Sequence, residues 1–242
     1  AVGAVDVARP PAGADQASDQ QRRVGDLVPA GLPLDQAQRL LEVLGRALRQ
    51  QTATLRADAN GGWSRDQAAD AAEVLAEHGV SALEQPLPDT QDADLVQLGE
   101  HSRCDLIVDE PLLTLDDAQR LLQQGGGRVF NIRIAKNGGR MPSLRLARMA
   151  LAAGLDVQLG CLVGETSILS AAGVAFLEAC PKVRFVEGAF GSFLLRQDVT
   201  RRPVRFRFGG RVPSLPGHGL GVVVDPDALQ HLSIVPPRSL PL

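Results

Sequence analysis

One pattern recurs along this chain: a segment with the apolar spacing of a helix is followed, after a short turn, by a short apolar strand. At least six such units lie between Pro33 and Gly188, and no clear hairpin interrupts them. Strands that alternate with helices in this way form parallel sheets covered by helices. The predicted strands lie in the sequences TATLRADAN, SALEQP, DLIVDE, RVFNIRI, DVQLGC and VRFVEG.

The spacing of these strands favours a barrel over an open sheet. A doubly wound nucleotide-binding sheet normally carries a glycine fingerprint after its first strand, and this sequence has none there. The glycine run that begins at Gly125 precedes a strand instead, as is typical of a helix C-terminus. We therefore predict an α/β fold of the TIM-type (β/α) barrel kind, modified or incomplete at its first strands. Regular steps of 26, 25 and 24 residues separate the residues that close four consecutive strands: Asp58, Glu84, Asp109 and Arg133.

Composition and charge narrow the kinds of partner. With 242 residues, 44% of them hydrophobic and 22% charged, the chain can bury one barrel-sized core. Its formal net charge of -3 argues against nucleic-acid binding, as does the lack of a basic run interleaved with aromatic residues. No apolar run approaches the roughly 20 residues that span a bilayer, and the first residues lack the layout of a signal peptide. We therefore predict a cytoplasmic protein without a membrane partner.

The three cysteines do not form a pattern that carries chemistry. Cys104, Cys161 and Cys180 are odd in number and widely spaced, so neither a disulfide framework nor a thiolate zinc site is expected. We interpret them as small buried apolar residues.

Acidic side chains close three of the predicted strands in succession. Asp58 ends LRAD, Glu84 ends SALE and Asp109 ends LIVD. Because the carboxyl ends of barrel strands meet at one mouth, these carboxylates are expected to converge there. A hard divalent ion would relieve their repulsion, and oxygen ligands without nearby His or Cys favour Mg²⁺. The alternative for any one of them alone is a cap on the following helix.

Four motifs carry a resemblance to a known family: DANGGW at 58–63, EQPL at 84–87, DE at 109–110 and NIRIAKNGG at 131–139. From about Leu34 to about Asp225 the chain resembles the muconate lactonizing enzyme and mandelate racemase branches of the enolase superfamily. The resemblance implies that the three strand-end carboxylates bind Mg²⁺. The metal would grip a substrate carboxylate and stabilise the enediolate formed when a proton leaves the neighbouring carbon. It also implies that Asn60 and Glu110 orient these ligands, although Asn60 is equally a turn former.

The sequence departs from this family at the lysines that move the proton. Members usually carry a KxK pair after the second strand and a lysine after the sixth. Here the best matches are QRRVG, which places Arg23 at the first position, and NIRIAKNGG, which places Arg133 at the second. Arginine stays protonated because its pKa exceeds about 12, so it steadies an anion more readily than it abstracts a proton.

Two other residues remain as proton carriers. Lys136 follows Arg133 by three residues and either reaches the mouth or is a solvated lysine. Glu187 in FVEG resembles the acidic residue of the family's eighth strand; it either shuttles a proton or pairs with Arg23 or Arg133. Neighbouring cations push a lysine toward its neutral form, so we favour Lys136 as the base.

The predicted domain organisation follows from these observations. Residues 1–20 are rich in Ala, Pro, Gly, Asp and Gln and are expected to be a poorly ordered lead-in, in which a first strand at Gly3–Ala8 is barely recognisable. The barrel is predicted at 21–200. Residues 201–242 resemble the family's return toward a capping domain, and we expect that domain to lie outside this chain, either because the sequence is a fragment or because the architecture is reduced.

The predicted function is that of a magnesium-dependent lyase or isomerase acting on a small carboxylate, resembling muconate cycloisomerase. Two alternatives remain open: an acid-sugar dehydratase, and a catalytically weak relative that binds metal and carboxylate without turnover. A homo-oligomer also remains open.

Overall fold

The computed structural model describes residues 2–8, 26–29, 54–89, 92–206 and 214–234. Arg23 and the helix predicted from Pro33 lie outside the described residues. The strands are β1 (Val2–Ala8), β2 (Asp26–Pro29), β3 (Thr54–Asp58), β4 (Val80–Glu84), β5 (Asp105–Val108), β6 (Val129–Ile132), β7 (Asp156–Leu159) and β8 (Phe185–Val186). The helices are α1 (Arg65–Glu77), α2 (Asp92–His101), α3 (Leu115–Gln124), α4 (Arg140–Ala152), α5 (Ser167–Ala179), α6 (Gly191–Leu194) and α7 (Pro226–Leu232).

Strands β3 to β8 form a parallel sheet in chain order. Each strand pairs in parallel with the next along the chain. Helices α1 to α5 occur between successive strands, as the repeated units predict. The parallel α/β arrangement is therefore confirmed for these strands, while closure of the sheet into a complete barrel stays a prediction.

The first two strands differ from this pattern. Strand β1 pairs antiparallel with both β2 and β3, with Val5 opposite Asp26 on one side and Ala57 on the other. The weak first strand predicted at Gly3–Ala8 is thus present as Val2–Ala8, within residues that were expected to be a poorly ordered lead-in. Val5 and Val7, two positions apart, favour a strand, and the Pro, Gly and Gln of the residues that follow weaken that signal.

Side-chain caps set the helix starts. At α1 the Ser64 hydroxyl accepts from the Gln67 backbone amide and the Gln67 side chain accepts from that of Ser64. Thr114 and Asp117 form the same reciprocal pair at α3. That helix ends at Gly125, whose φ of 81° is left-handed, so the prediction of a glycine C-cap is confirmed.

The contacts divide the chain into two compact units. One consists of Ala1–Gly160 and Cys180–Glu187 and contains all the strands given above. The other consists of Cys161–Ala179 and Gly188–Leu242.

Each unit has its own apolar centre. In the unit that contains the strands, side chains from four strands form a buried cluster: Ala82, Ile107, Val129 and Phe185. The other unit buries one face of α5 by packing Ala171 and Val174 against Val204. These clusters exclude water from the sheet interior and from the α5 surface respectively.

The cysteines behave largely as predicted. All three are free; Cys104 and Cys180 are buried, and Cys161 is partly exposed. Burial raises the pKa of the Cys104 thiol to about 11, so it stays protonated at neutral pH.

Among the described residues, every helix is too short or too polar to cross a bilayer.

Candidate active site

Three carboxylates lie at the carboxyl ends of neighbouring parallel strands. Asp58 is the last residue of β3, Glu84 is the last residue of β4, and Asp109 follows the last residue of β5. The register places Asp58 directly opposite Glu84. Glu84 and Asp109 are buried. The strand-end rule therefore located all three side chains on one edge of the sheet.

Two cationic side chains approach Asp109. Arg133, immediately after β6, forms an ion pair with Asp109 Oδ2. The Lys136 ammonium donates to Asp109 Oδ1 at 2.5 Å, to the Asp109 carbonyl at 2.7 Å and to the Asn131 carbonyl at 3.2 Å. Only 13% of the Lys136 side chain is exposed, so the alternative of a solvated lysine is wrong.

Arg133 also reaches two further carboxylates. Its Nη2 lies 3.9 Å from Glu84 Oε1 and 3.6 Å from Glu110 Oε1. Strand alternation continued past the end of β6 predicts this orientation of Arg133, and Ile132 and Ile134 on either side of it are buried. The guanidinium is thus an internal cation among acidic side chains.

Glu84 is held by groups that the sequence analysis did not single out. Asn131 Nδ2 donates to Glu84 Oε1 at 2.5 Å, and Gln158 Nε2 donates to Glu84 Oε2 at 2.8 Å. Arg56 Nη1 lies 4.0 Å from Glu84 Oε2, donates to the Gln158 side chain and stacks 4.6 Å from the Phe185 ring centre. Arg56, Asn131 and Gln158 are all buried.

A simple sequence signal could have found Arg56 and Asn131. Arg56 precedes Asp58 by two positions, and Asn131 precedes Arg133 by two. Residues two apart on a strand face the same side, so a polar side chain there lies just below the strand end. Because only the strand-end residues were considered, these polar residues two positions earlier were missed.

The other predicted site residues occupy supporting positions. Glu187 accepts from Gln158 Nε2 at 3.2 Å, so Gln158 bridges Glu187 and Glu84. Asn60 lies in a turn with a left-handed φ of 47°, and its backbone amide donates to Asp58 Oδ1 at 2.8 Å. It therefore orients Asp58 through its backbone, as a turn former does. Glu110 is partly exposed, and partial burial raises the pKa of its carboxyl.

Electrostatics of the site shift two pKa values toward neutrality. Burial and then the charge of Glu84 raise the pKa of Asp58 to about 7. Burial and then the charge of Arg133 lower the pKa of Lys136 to about 7. The strand-end site thus contains one carboxyl and one amine whose pKa values both lie near neutrality.

The strand-end carboxylates are the oxygen donors expected for a magnesium ion. Within the described part of the chain, no three His, Cys, Asp or Glu side chains are arranged to hold a metal ion. Metal binding by the three carboxylates stays a prediction; in this structure cations and amides contact the oxygens of Asp109 and Glu84. The donor chemistry does fit Mg²⁺, since carboxylate oxygens are its preferred ligands. The raised pKa of Asp58 also indicates that too little positive charge faces its carboxylate. Magnesium thus fits this donor set only if Arg133 moves.

The loop after β6 positions both cations through one buried amide. Asn137 Oδ1 accepts from the Arg133 backbone amide at 3.0 Å, and Asn137 Nδ2 donates to the carbonyls of Leu112 and Leu113 at 2.8 and 3.1 Å. These bonds tie the loop that carries Lys136 to the loop that follows β5. The position of Lys136 therefore depends on Asn137.

Replacement of Asn137 with alanine is expected to lower the free energy of unfolding by about 2–3 kcal/mol, because one buried and two part-buried hydrogen bonds are lost. Urea denaturation would measure the change. The matched control is Gln123→Ala, at an exposed position of α3, which is expected to change stability by less than about 0.5 kcal/mol. Equal stability of the two variants would contradict the positioning role.

Comparison with known proteins identifies relatives along most of this chain. A family model described as enolase C-terminal domain-like matches residues 17–228. Muconate cycloisomerase 1 of Pseudomonas putida is 31% identical over 202 residues, which are 83% of this chain and 53% of that protein. The L-Ala-D/L-amino acid epimerase of a Maribacter species is 33% identical over 178 residues, 72% of this chain and 50% of that protein.

A solved structure supports the same likeness. The muconate lactonizing enzyme of Pseudomonas fluorescens, crystallised in complex with muconolactone, superposes with a TM-score of 0.73 at 28% identity. The superposition covers 84% of this chain and 54% of the crystallised one. The chain thus spans about half the length of the relatives it matches.

Proposed function

Since the chain belongs to the enolase C-terminal domain-like family, we propose that its strand-end site performs isomerase chemistry of the muconate cycloisomerase type on a small carboxylate. In such a reaction a carboxylate oxygen of a muconate adds to a double bond, and a proton is added to the carbon next to the other carboxylate. The reverse reaction removes that proton from the lactone. The site therefore needs a proton carrier next to a positively charged group that binds the substrate carboxylate.

Lys136 supplies the proton carrier, and its placement against Asp109 is the observation that carries the proposal. Its amine is largely buried, and its pKa of about 7 leaves comparable amounts of the neutral and protonated forms at neutral pH. The neutral Nζ accepts the proton from the substrate carbon, and the protonated Nζ returns it. Asp109 Oδ1, at 2.5 Å, orients the amine through this cycle.

The substrate carboxylate would be bound by Mg²⁺, held by the strand-end carboxylates, and by Arg133. Oxygens of Asp58, Glu84 and Asp109 would hold Mg²⁺, whose charge favours electron density that moves onto the substrate carboxylate. Arg133 keeps its charge through the reaction and, once displaced from Asp109, can pair with an anionic group of the substrate. Gln158 and Asn131 hold the Glu84 carboxylate in place.

A second candidate function is binding of metal or carboxylate without turnover. The ion pair of Arg133 with Asp109 favours it, because this contact occupies an oxygen that the metal would need. An acid-sugar dehydratase has no observation in its favour here.

Two substrate arms test the proposed function. The purified chain, with saturating Mg²⁺, is given cis,cis-muconate in one arm and an L-Ala dipeptide in the other. Loss of muconate absorbance with lactone formation supports the cycloisomerase type, whereas inversion of the dipeptide supports the epimerase type of the Maribacter relative. Absence of both reactions, with Mg²⁺ still bound, would favour the non-catalytic candidate.

A further inference from the structure

We propose that Arg133 is a built-in competitor of the divalent ion: its guanidinium neutralises Asp109, Glu84 and Glu110, and the ion binds only when the guanidinium leaves them. The inference rests on the proposed function only in taking the strand-end carboxylates as the ion's ligands. It concerns how strongly this chain binds the ion, and it does not depend on any reaction being catalysed.

The contacts of the guanidinium carry the inference. Nη2 of Arg133 is paired with Asp109 Oδ2 and lies 3.6 Å from Glu110 Oε1 and 3.9 Å from Glu84 Oε1. One nitrogen therefore faces carboxylates from two different strand ends at once. A cation that bridges carboxylates in this way occupies the position in which a metal ion would be stabilised.

The Arg133 side chain has a defined position in the site and can also move away from it. Its backbone amide is held by Asn137, and a Cβ at Gly160 would lie 3.0 Å from Arg133 Cγ and closer still to the Asn131 amide. The absence of a side chain at Gly160 thus leaves room for both the Asn131 amide and the arginine stem. Arg133 keeps 20% of its side chain exposed, and its Nε is buried without a hydrogen-bond partner among the described residues. The guanidinium can therefore turn toward solvent without breaking a bond at Nε.

The charges explain why the two cations exclude each other. A divalent ion has twice the charge of a guanidinium and demands several oxygen ligands at short distance. It needs Asp109 Oδ2, which Arg133 engages. With Arg133 in place, the ion also meets a like charge close to its ligands. The observed affinity is consequently the intrinsic affinity reduced by the cost of displacing the guanidinium.

Calorimetric titration with Mg²⁺ tests this inference in the absence of substrate. Arg133→Met removes the competing charge and keeps an apolar stem, so we expect it to bind Mg²⁺ on the order of tenfold more tightly than the wild type. Arg133→Lys keeps the charge and loses the planar fork, and we expect an affinity between the two. The matched control is Arg145→Met, which removes the same charge from an exposed position of α4 and is expected to bind like the wild type.

A gain in affinity separates competition from a merely structural role, since loss of a structural residue weakens a site. Equal or weaker Mg²⁺ binding by Arg133→Met, or no binding by any variant, would overturn the inference. If Arg133→Met does not fold, the Arg133 Nε–H resonance of wild-type protein serves instead; it must shift on addition of Mg²⁺, and an unchanged resonance at saturation would overturn the inference. Tighter binding without any turnover would sink the proposed function alone, whereas turnover without tighter binding would sink the inference alone.

Discussion

Lys136→Met is expected to reduce the rate of proton transfer to a carboxylate substrate by about 10²–10⁴-fold, which is the usual contribution of a positioned acid or base. The substitution keeps most of the side-chain volume and removes the amine that contacts Asp109. Muconate conversion under saturating Mg²⁺ measures the rate. Lys182→Met is the matched control, because Lys182 is exposed and lies after α5, and its rate is expected to equal that of the wild type.

The pH dependence of the wild type checks the same role. Removal of a proton from the substrate requires neutral Lys136, whose pKa is lowered to about 7 by burial and by the charge of Arg133. The neutral fraction increases with pH, so the rate of deuterium exchange at the muconolactone methylene, which measures proton removal, should rise through about pH 7 and then level off. A rate that falls across this range, or a Lys136→Met variant as fast as the wild type, would exclude Lys136 as the base.

Arg56→Met is expected to lower the free energy of unfolding by about 3–5 kcal/mol, as is typical when one partner of a buried ion pair is removed. Arg56 is 3% exposed and contacts Glu84, Gln158 and the Phe185 ring. Its loss therefore leaves the buried Glu84 carboxylate with less positive charge beside it. Chemical denaturation measures the change, with Arg145→Met on the exposed face of α4 as control. A loss no larger than that of the control would show that Arg56 does not stabilise the strand interior.

The sequence predicted the parts of the fold and site that follow local rules. The helix and strand periods gave the order of β3 to β8, and the strand-end rule found Asp58, Glu84 and Asp109. The antiparallel pairing of β1 could not be predicted in the same way, because the pairing of distant strands leaves no local period.

The missed features depend on side-chain packing in three dimensions. Arg56 and Gln158 form their bond across 102 residues of chain, which no motif spacing reveals. The position of Lys136 depends on a loop conformation that Asn137 holds through bonds to another loop. The engagement of Asp109 by Arg133 was also missed, because charge alone predicts an arginine near carboxylates and leaves open which oxygen it contacts.

Deuterium exchange at the carbon next to a carboxylate tests the proposed proton-transfer site most directly, because it requires no complete reaction. Muconolactone is incubated in D₂O with the wild-type chain and saturating Mg²⁺, and its methylene signal is followed by proton NMR. We predict exchange of one of the two methylene protons with the wild type and with Lys182→Met, because a single base acts on one face of the substrate, and retention of both with Lys136→Met. A signal that stays unchanged with wild-type protein shown to bind Mg²⁺ would contradict proton transfer at this site.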